Sequence, residues 1–206
     1  IRHMTRFFPL LLGLFVVASA CAQDGGMDHS MDHDGAMADH HMMPPMRGTD
    51  DARVSPNGGV MTTVGTTNVM VHYGRPSLND RTYFADGATL APAGSVWRTG
   101  ANEASAITFA GDVMVNGTRV PAGTYGLFTI PGDPWTVIFN TTAEQWGSMN
   151  YDEAADQARV MAEPITDAPM QEQFEIRFAD VTEDSATMIL HWGTVGVPVT
   201  ITEAGM

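Results

Sequence analysis

From Val54 onward the chain consists of short β-branched and aromatic runs cut at regular intervals by turn signals, and this punctuation constrains the fold most. The sharpest mark is Asn116-Gly117, set between Val113–Val115 and Thr118–Val120. A two-residue type I′ turn needs positive φ at both central positions, which Asn and Gly tolerate, so this stretch is predicted to be a hairpin. Residues 68–73 alternate Val69, Val71 and Tyr73 with Asn68, Met70 and His72, the period of a half-buried strand. Further strands are expected at 124–130 and 135–140, around Pro131-Gly132-Asp133-Pro134, and at 173–181 and 185–192. A last strand at 195–202 contains Pro198, which places it at an edge or a bulge. The helical candidate is 151–159, whose acidic start suits a helix N-terminus. The expectation is an all-β, antiparallel β-sandwich, jelly-roll-like or a partly open barrel, with one short helix near 151–159. Residues 54–206 form a single domain of this kind.

The residues before it read differently. Taking Met4 as the start, Arg6 supplies a positive n-region, and the apolar run from Phe7 to Val17 is shorter than the ~20 residues of a membrane span. It ends in Ala18-Ser19-Ala20-Cys21. Residues 1–21 are therefore expected to be a secretory signal, cut either before a lipid-acceptor Cys21 or after the Ala-Ser-Ala box. Cys21 is the chain's single cysteine, which favours the lipoprotein cut. Once acylated, it leaves no thiol for disulfides, nucleophiles or thiolate metal sites. The expected location is the cell envelope, with membrane contact through the lipid. Ala22 lacks the aspartate that favours inner-membrane retention, which points to an outer-membrane lipoprotein facing the periplasm or the cell surface.

Charge narrows the partners. The formal charge is −14 for the whole chain, and removing Arg2 and Arg6 with the leader takes it to −16. Nucleic acid is not an expected partner of such a surface. All ten cations are arginine, so Schiff-base chemistry and a P-loop lysine are excluded.

Residues 22–53 are rich in Met, His, Asp and Gly, contain no aromatic residue, and are expected to be a disordered tether. Within twenty of them lie six methionines and four histidines: Met27, His29, Met31, His33, Met37, His40, His41, Met42, Met43 and Met46. Thioether sulfur selects Cu(I) and imidazole also accepts Cu(II), so the tract is a candidate site for copper or silver. It resembles the Met/His-rich segments of periplasmic copper-resistance proteins, including their Met-Asp-His-Ser signature, present as Met27-Asp28-His29-Ser30. The alternative is a solvated linker whose bias arose by local repeat expansion.

In the domain, Val96-Trp97-Arg98-Thr99-Gly100-Ala101-Asn102-Glu103-Ala104 carries a dense polar group, with Tyr73-Gly74-Arg75-Pro76 upstream. Arg75, Trp97, Arg98, Asn102 and Glu103 are the candidate ligand-binding residues. An arginine and a carboxylate beside an aromatic plane could recognise a glycan or another small polar ligand. Equally, Arg98 or Arg75 could pair with Glu103 while Asn102 ties down backbone, with no ligand at all. Enzyme signatures are scarce: there is no Gly-x-Ser-x-Gly, no His-Glu-x-x-His and no phosphate loop. No cofactor is expected in the domain. A hydrolase centred on Glu103 with Arg98 and Asn102, and a purely structural envelope module, stand as alternatives to a binding domain.

These motifs carry a resemblance. With Ala122-Gly123-Thr124-Tyr125-Gly126-Leu127-Phe128, Ile130-Pro131-Gly132 and Gln145-Trp146-Gly147, they occur in an order similar to that of the bacterial domain-of-unknown-function 2911 family, over about residues 55–199. The resemblance implies an exported, often lipid-anchored, β-rich domain and supplies no reaction. Asp80-Arg81 departs from the family pattern, so the connection over 77–93 is expected to differ.

Overall fold

The structure is a computed structural model that describes residues 44–49 and 51–205. The expectations for the leader, Cys21 and the Met/His tract up to Met43 lie outside the described residues.

The strands run in chain order as β1 (Asn57–Val64), β2 (Thr67–Gly74), β3 (Ser105–Phe109), β4 (Val113–Val115), β5 (Thr118–Val120) and β6 (Gly123–Ile130). They continue as β7 (Trp135–Asn140), β8 (Asp156–Ala162), β9 (Gln171–Ala179), β10 (Ser185–Gly193) and β11 (Val195–Glu203). They form a six-stranded sheet in the order β1-β2-β3-β6-β7-β8 and a five-stranded sheet in the order β5-β4-β11-β10-β9, with antiparallel pairing between neighbours. Neither sheet closes, so the sandwich is the form adopted, not a barrel.

Alternation explains the layering. Ala186, Met188, Leu190 and Trp192 of β10 are buried, while the residues between them are half-buried. They meet Val71, Ile107, Leu127 and Phe139 of the other sheet in one core. Each large side chain buried this way contributes ~1.5–3 kcal/mol relative to exposure. The hairpin at Asn116-Gly117 has φ of 43° and 80° at the two turn residues, the left-handed pair that its turn type requires.

Four expectations are corrected. The helix at 151–159 is a 3-10 turn, Glu153–Ala155, followed by β8. Ala158, Val160 and Ala162 are buried and Gln157, Arg159 and Met161 exposed, a period of two that pairs with β7. The acidic start serves a local network in place of a helix dipole. Asp152 accepts from the Ala154 amide at 2.9 Å, and Asp156 accepts from Tyr151 Oη at 2.6 Å and Asn140 Nδ2 at 2.7 Å.

Pro198 sits in an interior strand, not at an edge, since β11 lies between β4 and β10. Gly196 and Thr200 direct their backbone groups away from β10, toward Ile165 and Asn116, and Pro198 lies between them on the same side. There β4 pairs only with Ile201, Thr202 and Glu203, so the missing N–H falls in a gap of the ladder.

Strands β1, β3 and β8 are absent from the sequence expectation. Their composition hides them: β1 begins Asn57-Gly58-Gly59, and all five residues of β3 are buried, which erases alternation.

Finally, the domain's contacts begin before residue 54. Arg47, placed by sequence in the tether, is only 7% exposed and hydrogen-bonded into the domain.

A smaller cluster lies on the outer face of the six-stranded sheet. Phe128, Ile138 and Ala104 form a second small core there, covered by Tyr151 and flanked by Val96 and Ile130. This cover fixes the stretch 141–155 over the sheet, next to the 97–104 connection.

Candidate functional site

The connection that enters β3 is anchored at Trp97, which exchanges backbone hydrogen bonds with Thr129 at 2.7 and 2.9 Å. Its indole is buried, stacked on Trp192 at 5.6 Å and 11°, with the edges of Phe84 and Phe174 against it. Trp97 is thus core, not an aromatic plane open to a ligand.

Beyond it the backbone takes an uncommon path. Thr99 (φ 51°), Gly100 (φ 153°) and Asn102 (φ 64°) all have positive φ, which is costly for a β-branched threonine. What holds the path is a donor for every carbonyl from Trp97 to Ala104. The Thr129, Ser105 and Gly147 amides serve Trp97, Arg98 and Asn102. Ser105 Oγ donates to Thr99 O at 2.6 Å and Trp97 Nε1 to Gly100 O at 3.2 Å. The remaining three, on Ala101, Glu103 and Ala104, accept from the single guanidinium of Arg47 at 2.5, 3.1 and 3.0 Å. Gly74 is required beside them, because a Cβ there would collide with the Ala101 carbonyl.

Glu103 is paired, but with neither of the arginines expected. Arg53 grips it bidentately, Nη1 to Oε2 at 2.6 Å and Nη2 to Oε1 at 2.9 Å, and Arg47 Nη2 lies 3.1 Å from Oε2. The Arg53 fork is the main cause that holds the Glu103 carboxyl down to about 2, with the Arg47 charge and the Gly48 amide adding to it against partial burial. A carboxyl ionised throughout the neutral range cannot act as a general acid, and so low a basicity makes a poor general base. The geometry therefore gives no support to a hydrolase centred on Glu103.

Gln145 Oε1, beside Trp146, is buried without a hydrogen-bond partner, and so is Arg98 Nε. Burial pushes the Arg98 guanidinium below the ordinary value. Arg98 lines a cleft of about 240 Å³ with Arg81, Asn102, Ser55, Trp97 and Trp192 among others, and no carboxylate lines it. Asn102 donates to Ser55 O at 3.3 Å, and both residues also line a second cleft, about 370 Å³, with Asp51, Arg53, Val54 and Trp146. Trp146 is 56% exposed although its backbone is bridged to Glu103. Arg75 does not join this group. Its side chain runs against Gly58 and Tyr73 at the first hairpin, where its own Nε is buried without a partner, and it lines neither cleft.

A third hollow, about 340 Å³, lies over β2 and β3 between Met46, Arg47, His72, Glu103 and Glu144. Met46, the one member of the Met/His tract among the described residues, is 83% exposed there. Among the described residues there is no group of three or more His, Cys, Asp or Glu that could hold a metal ion. His191 Nε2 is within hydrogen-bonding distance, 2.9 Å, of Pro169 O.

Arg47, Arg53 and Trp146 are the residues that sequence reasoning left outside the site. Gly147 beside Trp146 already suggests an exposed platform, and a signal for the two arginines existed. Between Arg6 and Arg75 they are the only arginines, set at the end of a tract otherwise acidic or neutral.

Residues 55–201 match the family model described as "Protein of unknown function (DUF2911)", more than half of the chain, and the chain belongs to that family. No curated protein and no solved structure matches it.

Proposed function

With membership of this family as the premise, we propose that the domain is a non-enzymatic binding module whose ligand is a small anion held by Arg98. One observation carries the reading: Arg98, a partly buried arginine with no ion pair among the described residues, lines a cleft that also holds Arg81 and no carboxylate, in a chain of formal charge −14. Arginine stays charged at any physiological pH, so its position costs stability until an anion completes it. Arg81, anchored through Leu78 O at 3.0 Å and Ser77 O at 2.8 Å, adds a second cation on the cleft wall. Titration of the protein with acetate, citrate, phosphate and sulfate at constant ionic strength is expected to give saturable binding and a rise in melting temperature for at least one. A response that tracks ionic strength alone, identical for all four anions, refutes the site.

The module acts in the cell envelope, exported by residues 1–21 and anchored by a lipid on Cys21, and its tail carries copper or silver on the Met and His residues between Met27 and Met46. Soft thioether donors interleaved with imidazoles support the metal reading. Cu(I) titration of the chain from Cys21 onward, against the same chain lacking 24–46, tests it. Deletion ends before Arg47 so that the domain's own anchor is kept. Loss of high-affinity binding in the shortened chain is expected, and equal binding by both refutes the tail site.

A further inference from the structure

We infer that the ligand is an anionic pyranose, its charge in the Arg98 cleft and its ring stacked on Trp146. The inference rests on the anion reading above and deepens it.

The two clefts share Ser55 and Asn102, which are joined by the Asn102–Ser55 hydrogen bond. Their other residues also approach each other. Gly147 follows Trp146, and Arg98 Nη1 lies 3.9 Å from where a Cβ on Gly147 would stand. One molecule the size of a sugar acid can therefore reach both Arg98 and Trp146.

Their chemistry differs in a way that orients such a molecule. The Arg98 cleft has two arginines and no carboxylate, so it takes the charged substituent. The Trp146 cleft includes Asp51 as well as Arg53 and Asn102, so an anion is disfavoured there and neutral hydroxyls are accepted by both signs of partner. The indole is the remaining clue. A tryptophan 56% exposed, on a backbone fixed by the Glu103 bridge, the Gly147 amide on Asn102 O and the Ala104 amide on Gln145 O, is an apolar surface offered to solvent. The C–H face of a pyranose covers such a surface while its equatorial hydroxyls stay free for planar polar side chains.

The experiment titrates the protein with glucuronate, glucose 6-phosphate, glucose, acetate and phosphate, following tryptophan fluorescence and heat. Glucuronate or glucose 6-phosphate is expected to bind at least tenfold tighter than acetate or phosphate, respectively, and glucose at least tenfold weaker than its charged counterparts. Trp146→Ala is expected to remove that tenfold advantage and leave binding of the simple anion unchanged. Arg98→Met is expected to abolish both. If a simple anion binds but the sugar acid binds no better, or Trp146→Ala changes nothing, the saccharide inference fails and the anion reading stands. If no anion of either kind binds, both fail. Glucose binding as tightly as glucuronate overturns the assigned orientation.

Discussion

Replacing Glu103 with alanine is expected to lower the unfolding free energy by about 2 kcal/mol at neutral pH, less than the ~3–5 kcal/mol of a fully buried ion pair because 27% of the carboxylate side chain is open to solvent. The reason is what remains. Arg47 has a side chain 5% exposed and would keep its charge with only carbonyl partners, and Arg53 would lose both acceptors of its fork. The effect should spread to the connection itself, because Arg47 supplies the donors that hold the Ala101, Glu103 and Ala104 carbonyls in their uncommon backbone path. The same pair sets an acid limb. The Glu103 carboxyl is held down to about 2 in the fold against an ordinary 4.5, so its contribution is complete above about 4.5 and is lost as the pH falls from there toward 2. Since 27% of the side chain is open to solvent, screening reduces the linked stability to about 1–2 kcal/mol. Urea midpoints at pH 7 and pH 3 test both statements. The wild type should lose more between the two than Glu103→Ala. A Glu103→Gln protein as stable as wild type at pH 7 would instead match the hydrolase alternative, which needs the fold intact without this carboxylate.

How far the sequence discloses this arrangement depends on the range of each interaction. The Asn116-Gly117 hairpin and the strands β6, β7, β9 and β10 are legible because alternation and turn chemistry are local. Strand β8 is misread as a helix because its acidic start, Asp152, Glu153 and Asp156, fits a helix N-terminus equally well until Ala158, Val160 and Ala162 are seen paired with β7. At the site, residue types Arg98, Asn102 and Glu103 are legible as a polar cluster, and their partners are not. Arg47 and Arg53 reach Glu103 across 56 and 50 positions, and no local pattern encodes a contact of that span. The low-complexity look of residues 22–53 also hides that its last part belongs to the domain. Trp97 is legible in part: its residue type suits the core, but its stacking partner, Trp192, lies on the opposite sheet, beyond any local pattern. Trp146, whose neighbour Gly147 offers it as an exposed platform, does stand open, and a backbone bridge fixes it beside Glu103.

Arg98→Met is expected to produce opposite changes in stability and binding, the pattern of a residue kept for a ligand and not for the fold. Methionine fills a similar length without bringing a charge or a donor, so the unpartnered Nε and its desolvation disappear. A buried donor left without an acceptor costs ~1–3 kcal/mol, and the part of the guanidinium still in contact with solvent brings the expected gain to about 1 kcal/mol. Nothing of the connection's scaffold is lost with the side chain, because the Arg98 carbonyl accepts from the Ser105 amide through the backbone and Glu103 is held by Arg47 and Arg53. Anion binding, in contrast, should fall by at least about a hundredfold, equivalent to the ~2.7 kcal/mol expected of a charge-assisted bidentate contact. Denaturant unfolding and anion titration of the same two proteins give both quantities. A variant that is less stable than wild type would show that Arg98 is a structural residue, with its contribution to the fold made through water or through its aliphatic stem over Gly147. A variant that is more stable and binds the anion unchanged would move the site away from Arg98, leaving Arg81 as the cation in the same cleft to be tested in its place. A gain in stability together with loss of binding is the one result in which the cost of the buried charge and the reason for carrying it are measured at the same residue.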